Sequence, residues 1–300
     1  MIRTRTRTIA NALCAGIALL LMGGPARAFD PWQELKKAIE QKAQPQPGPG
    51  RPQSSPGGGL DLGGLRTLGG FSQEEEIAIG RQAAGNILGA APLVKDAKLQ
   101  QYVNHVGRWI ATQGERPELT WHFGVIESND FNAFAAPGGY IFVTKGLYRV
   151  LQSESELAGV LAHEIGHVNL KHQLKLLQQG RLVDMGTKLL SGKTGENEYI
   201  KRLIGSGGEI FARSLDKNAE FEADRVAVVL AARAGYDPFG LPTVLQDIGH
   251  VAKDDNRIAL LFKTHPPPDD RLAQLGEAVG GRLDGIKGQT LEKRFYRIRQ

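Results

Sequence analysis

The sequence predicts an α+β domain, mostly helical, with a small antiparallel sheet placed immediately before one amphipathic helix. Three observations predict it. Apolar residues at helical spacing follow two N-cap patterns, Ser72 with Glu75 and Ser153 with Glu156. Between them Leu119, Trp121, Phe123 and Val125 alternate with polar or small residues, the period of a half-buried strand, and Phe131 to Ala135 and Tyr140 to Thr144 flank Pro137-Gly138-Gly139 as a hairpin. A hydrophobic content of 41% over 300 residues then suffices for one sizeable core.

In chain order, residues 1–28 read as a cleavable export signal. Arg3, Arg5 and Arg7 precede an apolar run from Ala10 to Met22, and Ala26-Arg27-Ala28 supplies a small-x-small cleavage site. The run is interrupted by Asn11 and closed by Gly23-Gly24-Pro25, so it is short for a spanning helix, and no transmembrane helix is expected in the mature chain. The single cysteine, Cys14, follows Leu13 rather than a small residue, which does not suit lipid attachment. Removing residues 1–28, which carry four arginines and no acid, lowers the formal net charge from +5 to +1. The basic balance therefore belongs to the signal and gives no support to a nucleic-acid partner. A mature chain without cysteine is exported without disulfides, and a bacterial periplasm fits it best.

Residues 29–70 read as a short arm, Asp30 to Ala43 with Trp32, Leu35 and Ile39 on one side, followed by a disordered Pro/Gly-rich linker. The folded domain is expected over residues 71–285. Its first helix runs from Ser72 to about Leu88, and its second carries Leu99, Tyr102, Val103, Val106 and Ile110. After the sheet, the Ser153 helix buries Leu157, Val160, Leu161, Ile165 and Val168. Lys175 to Ser191 is amphipathic and leads into a polar loop, and it reads either as a lid over a cleft or as a surface helical hairpin. Asp216 caps a helix ending at Gly235, two further helical pieces follow Asp237-Pro238, and Thr264-His265-Pro266-Pro267-Pro268 is an extended loop before a helix from Pro268 to Val279. Residues 286–300 are basic and read as a solvated tail.

The chemistry concentrates in His163-Glu164-Ile165-Gly166-His167. On a helix the two histidines lie about 40° apart and Glu164 about 60° beyond His167, so all three occupy one arc of roughly 100°. This spacing lets two imidazoles hold zinc and one carboxylate act as general base. A catalytic zinc needs a third protein ligand. Leu170 and Gln173 stand where a metzincin would have Gly and His; the other common solution is a downstream glutamate on a second helix, with Glu209, Glu220 and Glu222 as candidates. His172, five residues after His167, is expected at the surface. Glu220 and Glu222 lie about 200° apart on their helix and cannot both face a metal. Asp224 shares the face of Glu220, where it could hold the second nitrogen of a ligating imidazole or pair with Arg225 or Lys217.

Together with Asn132-Ala133-Phe134-Ala135 upstream and Thr264-His265-Pro266 downstream, His163–His167 and Glu220-Phe221-Glu222-Ala223-Asp224 resemble the gluzincin metallopeptidase family of HtpX-like, BepA-like and CAAX prenyl-protease enzymes. The resemblance covers roughly residues 71–280 and implies a zincin-like metalloprotease domain with one zinc ion per chain. It implies His163, His167 and Glu220 as metal ligands, Glu164 as the catalytic base and Asp224 as the carboxylate supporting a ligand. For His265 two opposed roles remain: stabilising the developing oxyanion, or filling the open metal position and silencing the enzyme. Asn132, Ala133, Phe134 and Ala135 would form an edge strand pairing with an extended peptide. The implied activity is periplasmic cleavage of unfolded or misassembled polypeptides, outer-membrane proteins among them. The rival is a chaperone or assembly factor whose metal site is structural or closed.

Overall fold

The computed structural model describes residues 70–180, 215–252 and 255–298. The export signal, nearly all of the arm and linker, and residues 181–214 of the suggested lid lie outside the described residues.

Helix α1 spans Gln73–Ala90 and opens with the full capping box, the Ser72 hydroxyl accepting from the Glu75 amide and the Glu75 carboxylate from the Ser72 amide. Helix α2, Ala97–Ala111, is capped by Asp96 and buries Leu99, Val103, Val106 and Ile110. Strands β1 (His122–Ile126), β2 (Ala133–Ala136) and β3 (Tyr140–Thr144) form one sheet in the order β1-β3-β2. The hairpin of β2 and β3 is antiparallel, with Phe134 opposite Phe142, and its turn uses Gly138 at φ 76° and Gly139 at φ 95°.

The sheet expected to be antiparallel is mixed, because β1 pairs with β3 in parallel. Residues 127–132 reverse the chain but leave one strand position empty beside β1, and β3 returns into that gap. The consequence is functional: β2 becomes an edge.

A short helix α3 (Lys145–Val150) leads into α4, Glu154–Asn169, around which the domain is built. Every residue of α4 from Glu154 to Val168 is buried. Its apolar side chains, Leu157, Leu161 and Ile165 among them, each gain about 1.5–3 kcal/mol from leaving water, so the helix is held by packing on all sides. Residues 172–180 form a further helical segment. Helix α5, Lys217–Arg233, packs along α4, and α6 (Gly240–Gly249), α7 (Ala259–Thr264) and α8 (Pro268–Val279) complete the described domain.

The C-terminal segment is not a solvated tail through residue 298. Phe295 is 7% exposed within the main core and stacks on Tyr148, whose hydroxyl donates to the Tyr296 carbonyl. Two aromatic rings in a basic run carry enough apolar area to dock it.

Candidate active site

His163 and His167 stand one turn apart on α4, and their Nε2 atoms approach to 3.0 Å. Between them Gly166 has a packing role: a Cβ there would lie 3.3 Å from the Cα and carbonyl oxygen of Ala223, so the missing side chain lets α5 run close against α4. That approach brings Glu220, in the first turn of α5, to the two imidazoles. Its Oε2 lies 3.5 Å from His163 Nε2 and its Oε1 3.5 Å from His167 Nε2. His265, just after α7, places Nε2 3.6 Å from Glu220 Oε2. One ligand atom from each of these four residues lies within 4.8 Å of all the others.

The donor set fits zinc. Tetrahedral ligands at about 2.0–2.1 Å from zinc stand roughly 3.4 Å apart, and separations of 3.0 to 3.6 Å, with one ligand atom of each residue within 4.8 Å of the rest, are near that scale. Glu220 Oε2 is buried with no hydrogen-bond partner among the described residues, an expensive arrangement for a carboxylate unless a cation completes it. Each histidine presents Nε2 to the centre and has a neighbour on Nδ1: Asp224 Oδ1 at 2.9 Å for His163, His172 Nδ1 at 2.9 Å for His167 and Thr264 Oγ1 at 2.8 Å for His265.

Burial and charge divide the groups. Burial pushes His167 down, well below the usual imidazole range, and His265 down to about 4. For His163 burial acts in the same sense, but the carboxylates of Asp224 and Glu220 outweigh it and raise the ring to about 9. Burial also works against ionised Glu220 and Asp224. Nearby His265 and His167 nevertheless hold Glu220 well below the carboxylate range, and Arg271 does the same for Asp224. Glu164, 3% exposed, is pushed up by burial to about 7.

The structure thus brings His163, Glu164, His167, Glu220, Asp224 and His265 to one place. The edge strand joins them: Ala133, Phe134 and Ala135 line the same cleft of about 40 Å³, with Gln173, Leu176 and Leu177 across from them. Asn132 flanks the strand with its side-chain amide fully buried and neither polar atom hydrogen-bonded among the described residues.

One reading is corrected. His172 is not a surface histidine but 4% exposed against His167, because α4 stops at Asn169 and Lys171 adopts a left-handed φ of 56°. Glu222, its side chain 32% exposed, places Oε2 3.4 Å from His172 Nε2. Asp224 pairs with neither Arg225 nor Lys217. Its partner is Arg271, from α8, whose Nε and Nη2 donate at 2.9 and 2.5 Å. Nothing in the sequence distinguishes this arginine from others, because the pairing spans 47 residues.

Residues 97–279, more than half of the chain, match the model of peptidase family M48. The beta-barrel assembly-enhancing protease of Escherichia coli (strain K12) is 30% identical over 209 residues, which is 66% of this chain and 42% of that protein. Mitochondrial metalloendopeptidase OMA1 of Schizosaccharomyces pombe is 26% identical over 176 residues, 59% of this chain and 52% of the other. Metalloprotease LoiP of Escherichia coli (strain K12) is 28% identical over 172 residues, 55% and 65% of the two chains. The chain thus spans less than half the length of the first of these relatives.

Proposed function

This chain belongs to peptidase family M48, and from that premise we propose that it is a periplasmic zinc-dependent endopeptidase acting on unfolded or misassembled envelope proteins. The observation that carries the reading is the cluster of His163, His167, Glu220 and His265 beside Glu164, which has no hydrogen-bond partner among the described residues. The beta-barrel assembly-enhancing name of one relative supports an envelope substrate, outer-membrane proteins among them. Among the described residues no helix is long and apolar enough to cross a membrane.

Zinc at this cluster supplies Lewis acidity toward water and the peptide carbonyl. The protein residues handle the proton and the substrate. Glu164, raised to about 7, is poised to take a proton from attacking water at its carboxylate and return it to the leaving amine. Strand β2 has its outer edge on the cleft, and an extended peptide pairing there would be held mainly by main-chain hydrogen bonds, which select weakly for side chains. Gln173 Nε2 donates to the Ala135 carbonyl at 3.3 Å, on the outer edge of β2 where an added strand would pair. Substrate therefore has to displace Gln173. The position of His265 Nε2 among the ligand atoms supports the resting, fourth-ligand role over the oxyanion role.

Incubating the purified chain with an unfolded outer-membrane protein tests the proposal. Cleavage that a chelator stops and zinc restores is expected. Client binding without any cleavage would favour the chaperone reading instead.

A further inference from the structure

We propose that His172 and Glu222 form a positioning relay for His167, separate from the Asp224–Arg271 pair behind His163, and that tight zinc retention depends on it. The inference rests on the cluster being a zinc site. His167 can offer a bare Nε2 to a metal only if its proton sits on Nδ1, and a buried N–H needs an acceptor. The neighbour of Nδ1 is His172 Nδ1, at 2.9 Å. To accept, His172 must keep its own proton on Nε2, and that nitrogen faces Glu222 Oε2 at 3.4 Å. Direction is then fixed along the whole row: His172 Nε2–H donates to Glu222, and His167 Nδ1–H donates to His172.

The backbone is shaped for this contact. On an unbroken helix the fifth residue after His167 would point about 140° away from it. Lys171, at φ 56°, takes a conformation that is unfavourable for a residue with a Cβ, and the next helical segment starts immediately with His172. The two supports are unlike in setting. Asp224 is 1% exposed, whereas the Glu222 side chain is 32% exposed, so His172 carries most of the effect and Glu222 the smaller part.

The test measures zinc Kd on the intact chain by competition with a chromogenic chelator, together with the visible spectrum of the cobalt-substituted protein and the melting temperature of the metal-free form. Wild type should bind one zinc. His172→Phe, which keeps the bulk and removes the acceptor, should weaken zinc about 10–100-fold and shift the cobalt spectrum. His172→Gln, whose amide oxygen can still accept from His167 Nδ1, should recover a large part of that loss, and Glu222→Ala should cost a few-fold. An unchanged zinc Kd in a folded His172→Phe overturns the relay. If that variant does not fold, Glu222→Ala decides, and a wild-type Kd there overturns it. Failure of the zinc reading itself is seen first and separately, as a wild-type chain that binds no zinc.

Discussion

Two of the buried carboxylates on helix α4, Glu154 at its start and Glu164 ten residues on, are in opposite states. Glu154, 0% exposed at the N-terminal end, accepts from the Tyr102 and Tyr236 hydroxyls at 2.8 Å each and from Arg294 Nε at 2.7 Å. Burial pushes its pKa up, but Arg294 and the two tyrosines outweigh burial and hold it low. Glu164, 3% exposed ten residues on, meets no hydrogen-bond donor among the described residues, and burial pushes it up to about 7. The same side chain on the same helix is fully partnered where it holds the fold and unpartnered where it faces the cleft. Such a divergence marks the end at which proton transfer is expected.

The sharpest break of this comparison is to neutralise each carboxylate in turn. Glu164→Gln should lower cleavage of an unfolded protein by about 10²–10⁴-fold, while zinc content and melting temperature stay at wild-type values. Undiminished cleavage would remove Glu164 from the chemistry. Glu154→Gln should leave the zinc site intact and destabilise the fold by about 2–3 kcal/mol in urea unfolding, because it weakens hydrogen bonds to a charged acceptor. The pH dependence has a definite sign. The folded pKa of Glu154 is depressed, so its contribution is complete above the unfolded carboxylate value and is lost as pH falls through the lower folded value. In Glu154→Gln that acid-side part of the stability loss should be reduced, and an unchanged acid limb would refute the assignment.

A third substitution extends the contrast to the ligands. Asp224→Asn keeps an acceptor near His163 Nδ1 but leaves buried Arg271 without its counter-charge. Zinc should bind about 10–100-fold more weakly, and the metal-free fold should also lose stability, both readable by chelator competition and thermal melting.

The two ends of α4 differ as well in how far they were legible in sequence. The site end was read from local spacing: His163 and His167 one turn apart, and Asp224 on the face of Glu220. The other end is assembled from residues distant in the chain, Tyr102, Tyr236 and Arg294, none marked by a motif. Helices α1, α2, α4 and α5 followed from caps and periodicity because those are local effects. The parallel pairing of β1 did not, since strand order depends on which gap a loop leaves. His172 was misread for a related reason: a rotation of 140° was assumed across a helix that ends at Asn169. Periodicity predicts where side chains point only while the helix lasts.

Removing His265 asks whether the cleft end is also held shut. With Nε2 in fourth-ligand position, His265→Ala should raise cleavage roughly tenfold by freeing the resting fraction, and a fall would assign it to oxyanion stabilisation. The smallest effect belongs to Gln173. Its amide occupies the Ala135 carbonyl, one acceptor on the edge where a peptide would pair. A neutral hydrogen bond of this kind is worth about 0.5–1.5 kcal/mol net, so Gln173→Ala should lower KM about threefold with little change in kcat. If KM rises instead, Gln173 contacts the substrate rather than competing with it, and β2 is pre-formed by that contact instead of covered by it.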